Sequence, residues 1–387
     1  MRQHPWLWVL AGFVAVLSGI GWYISRVNSS HPALWAMTGG DSAHRSYSKV
    51  PLPQSPKLLW SYALKPGERE ARFGGDLAFA GPVVWQDGTA YVGFDSKVHA
   101  VKPDGKMKWA WESKTAIISL ALGRQGTLYA LADGMLYALS PDGTLEWQTE
   151  VDVDLREARP LVVGQGGVIY VSGREYLMAV SSTGERKWRF QGKNISAAPA
   201  ELSDGKLAVL LGNELYLLSR NGDTLWHRET VAPLSPLGLA TDGDSIYVYG
   251  TKRVVIDRSG NSLFQAEPTQ PASVSLGVGR GFVQDGIVRY DAKWDQEKWS
   301  RAALTPNLQT ALSLVDGNGN AVVFAASGTG RRTYSISARL LDAAGQQKWE
   351  LPDLPSVSSV AAGDGRLYFI GFLAARQGTF LMCYGDR

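Results

Sequence analysis

Residues 136–147 read LYALSPDGTLEW, and the order of residue types in this stretch decides the fold. Leu136 to Leu139 is a short run of strand formers, Ser140 to Gly143 brings Pro, Asp and Gly, and Thr144 to Trp147 is a second short run ending on an aromatic residue. Two runs around an Asp-Gly pair read as a β-hairpin, the pair supplying the positive backbone angles of a two-residue loop. The same register returns as VHAVKPDGKMKW from Val98, LMAVSSTGERKW from Leu177, LYLLSRNGDTLW from Leu215 and SARLLDAAGQQKW from Ser337.

Upstream of the hairpins lie further runs rich in Tyr and Val: GTAYVGF from Gly88, GTLYALA from Gly126, GVIYVSG from Gly167 and DSIYVYG from Asp244. Each unit thus holds four strands, A to D, and its D strand carries an aromatic marker. The markers are Trp60, Trp109, Trp147, Trp188, Trp226, Phe264, Trp299 and Trp349, spaced 35 to 50 residues apart. A four-stranded propeller blade with its turns takes up about 40 residues. Along a D strand, Leu145, Trp147 and Thr149 alternate with Glu146, Gln148 and Glu150, which points the marker to one face. There it is expected to pack between neighbouring blades.

The two ends complete one another. LMCYGDR from Leu381 matches a third strand, and PKLLWSYAL from Pro56 is a fourth strand without preceding partners. Pairing them finishes a blade and removes an exposed edge. The predicted fold is all-β: an eight-bladed β-propeller over residues 56–387, with four-stranded blades, the last closed by an N-terminal strand, and preceded by one N-terminal transmembrane helix.

That helix is expected within residues 1–27, because Trp6 to Ile24 carries no charge and is long enough to span a bilayer. Arg2 and His4 precede it, Arg26 follows, and Trp6, Trp8, Trp22 and Tyr23 mark its ends as an aromatic belt would. The expectation is a single-pass protein of the cytoplasmic membrane with the propeller facing the periplasm or cell exterior. A cleaved signal peptide is the rival, although no clear Ala-x-Ala site follows. Residues 28–55, rich in Ser, Gly, Pro and Asn, read as a tether and pre-blade segment.

Composition agrees with a turn-rich β-protein: 387 residues with 43 Gly, 45% hydrophobic and 19% charged. A net charge of +3 is too small and too dispersed to imply nucleic acid as a partner. Cys383 is the only cysteine, so no intrachain disulfide forms, and a lone Cys in a strand acts as a small hydrophobe. The five histidines show no metal-ligand spacing, and no nucleophile elbow or phosphate loop is present. DGNGN at Asp316 to Asn320 resembles half of a calcium loop but lacks the closing Glu and reads as a plain turn.

The segment WAMTGGDSAHRSYS from Trp35, with its Gly-Gly-Asp and the basic residue before Ser/Tyr, together with the Asp-Gly hairpins and the marker count, resembles propellers of the pyrroloquinoline-quinone-like family. The resemblance covers residues 35–387. That family divides into quinone-dependent dehydrogenases and non-catalytic relatives, among them an outer-membrane assembly lipoprotein that scaffolds a β-barrel insertion machine. The catalytic branch implies a vicinal cysteine pair and a Glu/Asn/Asp calcium site, and a single cysteine makes no such pair. The resemblance therefore implies a non-enzymatic scaffold without cofactor or metal. The alternative is a propeller binding a quinone or other small ligand in its central channel.

For a binding protein, strand parity points to one face, because the B–C loops and the D-to-A links of an up-and-down blade emerge together. LKPGEREARFGGD from Leu64 carries Arg69 and Arg72, and EVDVDLREARP from Glu150 carries Arg156, Glu157 and Arg159. ASGTGRRTYS from Ala326 carries Arg331 and Arg332, and GFLAARQGTF from Gly371 carries Phe372 and Arg376. Arginine beside exposed apolar residues suits a protein interface. The "DVD" run before Pro-Leu-Val-Val, residues 152–163, is similar to a partner-contacting link of the assembly-lipoprotein branch. The expected partners are envelope or membrane proteins docking on this loop face of a monomeric propeller.

Overall fold

The computed structural model describes residues 33–65, 79–153, 157–229, 236–250, 253–266, 274–276, 282–284, 288–290, 297–300, 312–330, 333–354, 356–373 and 378–386. It is all-β. Among the described residues its strands pair into eight sheets in chain order, here I (residues 79–112), II (117–150), III (162–191), IV (200–229), V (236–266), VI (274–300), VII (312–354) and VIII (356–385), seven of four antiparallel strands and one, sheet VII, of five. In sheet II the strands are Ile117–Leu122, Leu128–Ala132, Met135–Leu139 and Leu145–Glu150, hydrogen-bonded in sequence order, which is the A to D meander predicted. First strands of successive sheets lie against one another, as Phe79–Val84 does against Ile117–Leu122 on one side and Ser356–Gly363 on the other. Four-stranded sheets joined through their first strands in this way make a β-propeller.

Burial follows strand order. Second and third strands are buried on both faces, as in Leu128–Ala132, whereas the fourth strand Leu145–Glu150 alternates between exposed and half-buried. This explains the composition of the repeats: inner strands read as continuous apolar runs, and only the outer strand shows polar alternation.

The fourth-strand aromatics lock adjacent sheets. Trp109 Nε1 donates to Pro141 O at 2.9 Å, in the C–D turn of the next sheet; Trp147 reaches Ser182 O at 3.0 Å and Trp188 reaches Arg220 O at 2.9 Å. The indole lies on the glycine of that turn. A Cβ on Gly143 would sit 2.7 Å from Trp109 Cδ2, so the position demands glycine for space as well as for its φ of 89°. Across their own sheets Trp109, Trp147, Trp188 and Trp60 each meet a second-strand tyrosine over a small third-strand residue, whereas Trp226 and Trp349 stand opposite Leu217 and Leu340. Tyr129, Ala138 and Trp147 stand in register in sheet II, with rings 5.8 Å apart.

The C–D turn differs from the two-residue loop expected from Asp-Gly. Ser140 N donates to Thr144 O, Gly143 N donates to Ser140 O, and of these turn residues only Gly143 has a positive φ. The ladder then shifts register between Leu145 and Trp147. This is a three-residue loop closed by a left-handed glycine and a bulge. Pro141 fixes a negative φ, and Asp142 Oδ1 accepts the Thr144 amide at 3.2 Å, so Asp142 serves as an acceptor and keeps an ordinary φ.

Sheet VIII joins the two ends of the chain. Lys57–Ala63 pairs antiparallel with Gly378–Gly385, Trp60 opposite Cys383 and Ser61 opposite Met382. Asp386 accepts the amides of Gln54 at 2.8 Å and Ser55 at 2.6 Å. Cys383 fills the place that Ala138 holds in sheet II, between Tyr368 and Trp60.

One expectation requires correction. Among the described residues there is no α-helix, and none is long and apolar enough to cross a membrane. The reading as a single-pass cytoplasmic-membrane protein is thereby overturned; Trp6 to Ile24, on which it rested, lies outside the described residues.

Candidate functional site on the hub and the loop face

From Ala33 onward the stretch read as a tether is built into the hub. Trp35 exchanges both backbone hydrogen bonds with Val84 of sheet I, at 3.0 and 2.8 Å. The Leu122 amide of sheet II donates to Ala36 O at 2.7 Å, Glu201 of sheet IV to Ser42 O at 2.8 Å, Thr241 of sheet V to Ala43 O at 2.9 Å, and Val315 of sheet VII to Ser46 O at 2.9 Å. Tyr47–Ser48 then runs parallel to the first strand of sheet VII as its fifth strand. All these contacts fall at the ends of first strands, where backbone groups left over by the short A–B turns need partners. The segment thus crosses the hub on the face of the A–B and C–D turns.

Polar side chains of the crossing bond both within it and to the sheets beneath. Asp41 pairs with Arg45; burial works against the guanidinium charge, and the carboxylate outweighs it, so the Arg45 pKa is raised. Glu201 accepts Ser42 Oγ and the Gln165 amide, each at 2.8 Å, while burial holds its carboxyl above the ordinary range. His44 is buried with its ring nitrogens 3.1 Å from Thr38 O and 3.0 Å from Pro199 O, and burial draws its pKa down. A cavity of about 40 Å³ beneath the segment, touching Met37, Ser42 and Arg124, has room for little more than water. Asp316, of the DGNGN run, accepts the amides of Leu52, Asn318 and Asn320, so the run is a turn that anchors the N-terminal segment. Among the described residues no group of three or more His, Cys, Asp and Glu could hold a metal ion.

On the opposite face, three of the expected interface residues lie within the described structure. Glu157 sits 4.0 Å from Arg174 of the B–C turn in sheet III. Arg159 donates its amide to Ser172 O at 2.9 Å and Nε to Ile195 O at 3.1 Å, fastening sheet III to the link beyond it. Phe372 is 51% exposed near the end of the second strand of sheet VIII. Arg69, Arg72, Arg156, Arg331, Arg332 and Arg376 lie outside the described residues.

The same face bears a groove between sheets III and IV that sequence reasoning missed. It has a volume of about 610 Å³ and is lined by Glu175, Phe190, Gly192, Lys193, Leu211, Glu214 and Tyr216, among others. Phe190 and Tyr216 meet across the sheets with ring centroids 5.7 Å apart. The only sequence signal was the aromatic two places after the marker, since Trp111 meets Tyr137 in the same way.

No protein-family model matches the sequence, and no curated protein matches it. Solved structures do. The chain is similar to BamB from Moraxella catarrhalis (TM-score 0.58, 14% identity, 86% of this chain and 98% of that one). It is also similar to Sqt1 from Saccharomyces cerevisiae (TM-score 0.60, 11% identity, 79% and 94%). A third neighbour is a catalytically inactive virginiamycin B lyase from Staphylococcus aureus with quinupristin (TM-score 0.52, 13% identity, 86% and 100%). These likenesses show the β-propeller fold, and that to BamB agrees with the resemblance read from the sequence. With a lyase among them, the fold alone does not choose between binding and catalysis.

Proposed function

We infer that the chain is a closed eight-bladed propeller acting as a non-enzymatic scaffold for protein partners, which dock on the face of the B–C loops and D-to-A links. The observation that carries this reading is the asymmetry of the two faces. On one face residues 35–48 cross the hub with their backbone bonded to the ends of the first strands of five sheets, while the other presents a formed groove and the exposed Phe372. Exposed aromatic residues beside charged loops suit protein contacts. The outer-membrane assembly branch that the sequence resembles is the working analogue for the role. A quinone in the central channel is the competing reading.

The test is co-purification from crosslinked cells of the source organism. Phe372→Glu is expected to lose partners that Leu225→Glu, an exposed change beside a C–D turn, retains. Equal recovery with both variants rejects the loop face. A rise in melting temperature with quinone and calcium would favour the ligand-binding reading.

A further inference from the structure

We propose that the groove between sheets III and IV receives an extended segment of a partner protein through a long cationic side chain, arginine or lysine. The proposal rests on the scaffold reading and names the chemistry of the segment.

The groove is lined by groups already held by contacts within the chain. The link after the fourth strand of sheet III lies back on sheet IV, with Gly212 N donating to Asn194 O at 2.8 Å and Ser196 N to Leu210 O at 3.0 Å, and is held to its own sheet by Ile195 N donating to Arg174 O at 2.7 Å. Gly192 lets it lie flat, because a Cβ there would come within 2.4 Å of Leu211 Cδ2. Tyr216 is held between Phe190 and His227, whose ring stacks on it at 5.1 Å. Walls already fixed spare a partner the ordering cost of making them.

The lining has two chemistries. Phe190 and Leu211 give an apolar, half-buried floor, and Glu175 and Glu214 place two carboxylates beside it against one ammonium, Lys193. Tyr216 donates its hydroxyl to Glu214 Oε2 at 2.7 Å, which orients that carboxylate. A small cation would leave the floor wet, and an apolar side chain would ignore the carboxylates. Arginine and lysine match both, laying their methylene stem on the floor and their charged head at the carboxylates. The groove opens on B–C turns of two sheets, as suits a passing chain segment rather than an enclosed small molecule.

The full chain is titrated, by fluorescence polarisation, with short labelled peptides of alternating Val and Thr whose central residue is Arg, Lys, Gln or Glu. The Arg and Lys peptides are expected to bind about tenfold more tightly than the Gln peptide, with the Glu peptide weakest. That preference should shrink as salt is raised from about 0.05 to about 0.3 M. Glu175→Gln with Glu214→Gln, two nearly isosteric changes at the surface, should abolish it with an unchanged thermal melt. Lys193→Glu should strengthen Arg binding. Equal binding of all four peptides, or a preference that survives the double replacement, overturns the proposal, as does competition by free arginine at the concentration of the Arg peptide. If Phe372→Glu loses partners while the peptides show no charge preference, the groove inference fails alone and the scaffold stands.

Discussion

At the residue scale, Cys383 shows how a position dictates its occupant. The site lies between Tyr368 on one strand and Trp60 on the next, where only a small side chain lets the two rings approach to 6.1 Å. Sheets I, II and III put Ala100, Ala138 and Ala179 there. Burial pushes the Cys383 thiol up to about 12, so the nucleophilic thiolate is absent at neutral pH. Cys383→Ala is therefore expected to change stability by less than about 1 kcal/mol, since the change is small-for-small. In the native wild type the thiol should resist a disulfide reagent and react once in denaturant, with labelling followed by mass; rapid native labelling would contradict the burial described. The sequence reading of this cysteine as an inert hydrophobe needed only its strand context, but its role as a spacer between rings needed the register.

At the element scale, the unit of construction is the hairpin together with the indole that the preceding sheet lays on it. The turn glycine meets two demands at once, a left-handed backbone and no Cβ under the ring, and the indole nitrogen caps a turn carbonyl that would otherwise face solvent. Gly143→Ala is expected to destabilise by about 2 kcal/mol, because strain and collision add. Trp109→Phe should cost about 1 kcal/mol through the lost hydrogen bond. If both lesions act on one contact, the double variant falls short of the sum, read as a double-mutant cycle in urea unfolding. An additive result would separate the turn from the docking. That the repeat ends in Trp and that this Trp packs between neighbouring sheets was legible in the chain; that its indole nitrogen donates to the C–D turn of the following sheet was not, because these bonds join residues more than thirty positions apart and leave no local pattern.

At the scale of the whole molecule, a closed ring behaves differently from an open array. In an array the loss of an end unit leaves its neighbours intact, whereas here Lys57–Ala63 and Gly378–Gly385 share one sheet and Asp386 binds the approach to the first of them. Removing residues 378–387 strips the partner from strands on both sides and exposes two edges. The truncated chain is expected to associate and to lose its single cooperative melt, as followed by light scattering and calorimetry. A monomer with an unaltered melt would show that closure contributes little. Periodic turns, apolar runs and the mismatch of the two ends were enough to predict sheets, strand order and the terminal pairing, because turn chemistry and side-chain alternation act over a few residues. The crossing of the hub by residues 35–48, the commitment of Arg159 to Ile195, and the groove between sheets III and IV belong to the tertiary structure alone. Each depends on which sheet ends and loops the ring brings side by side, and that adjacency is set by the packing of whole sheets.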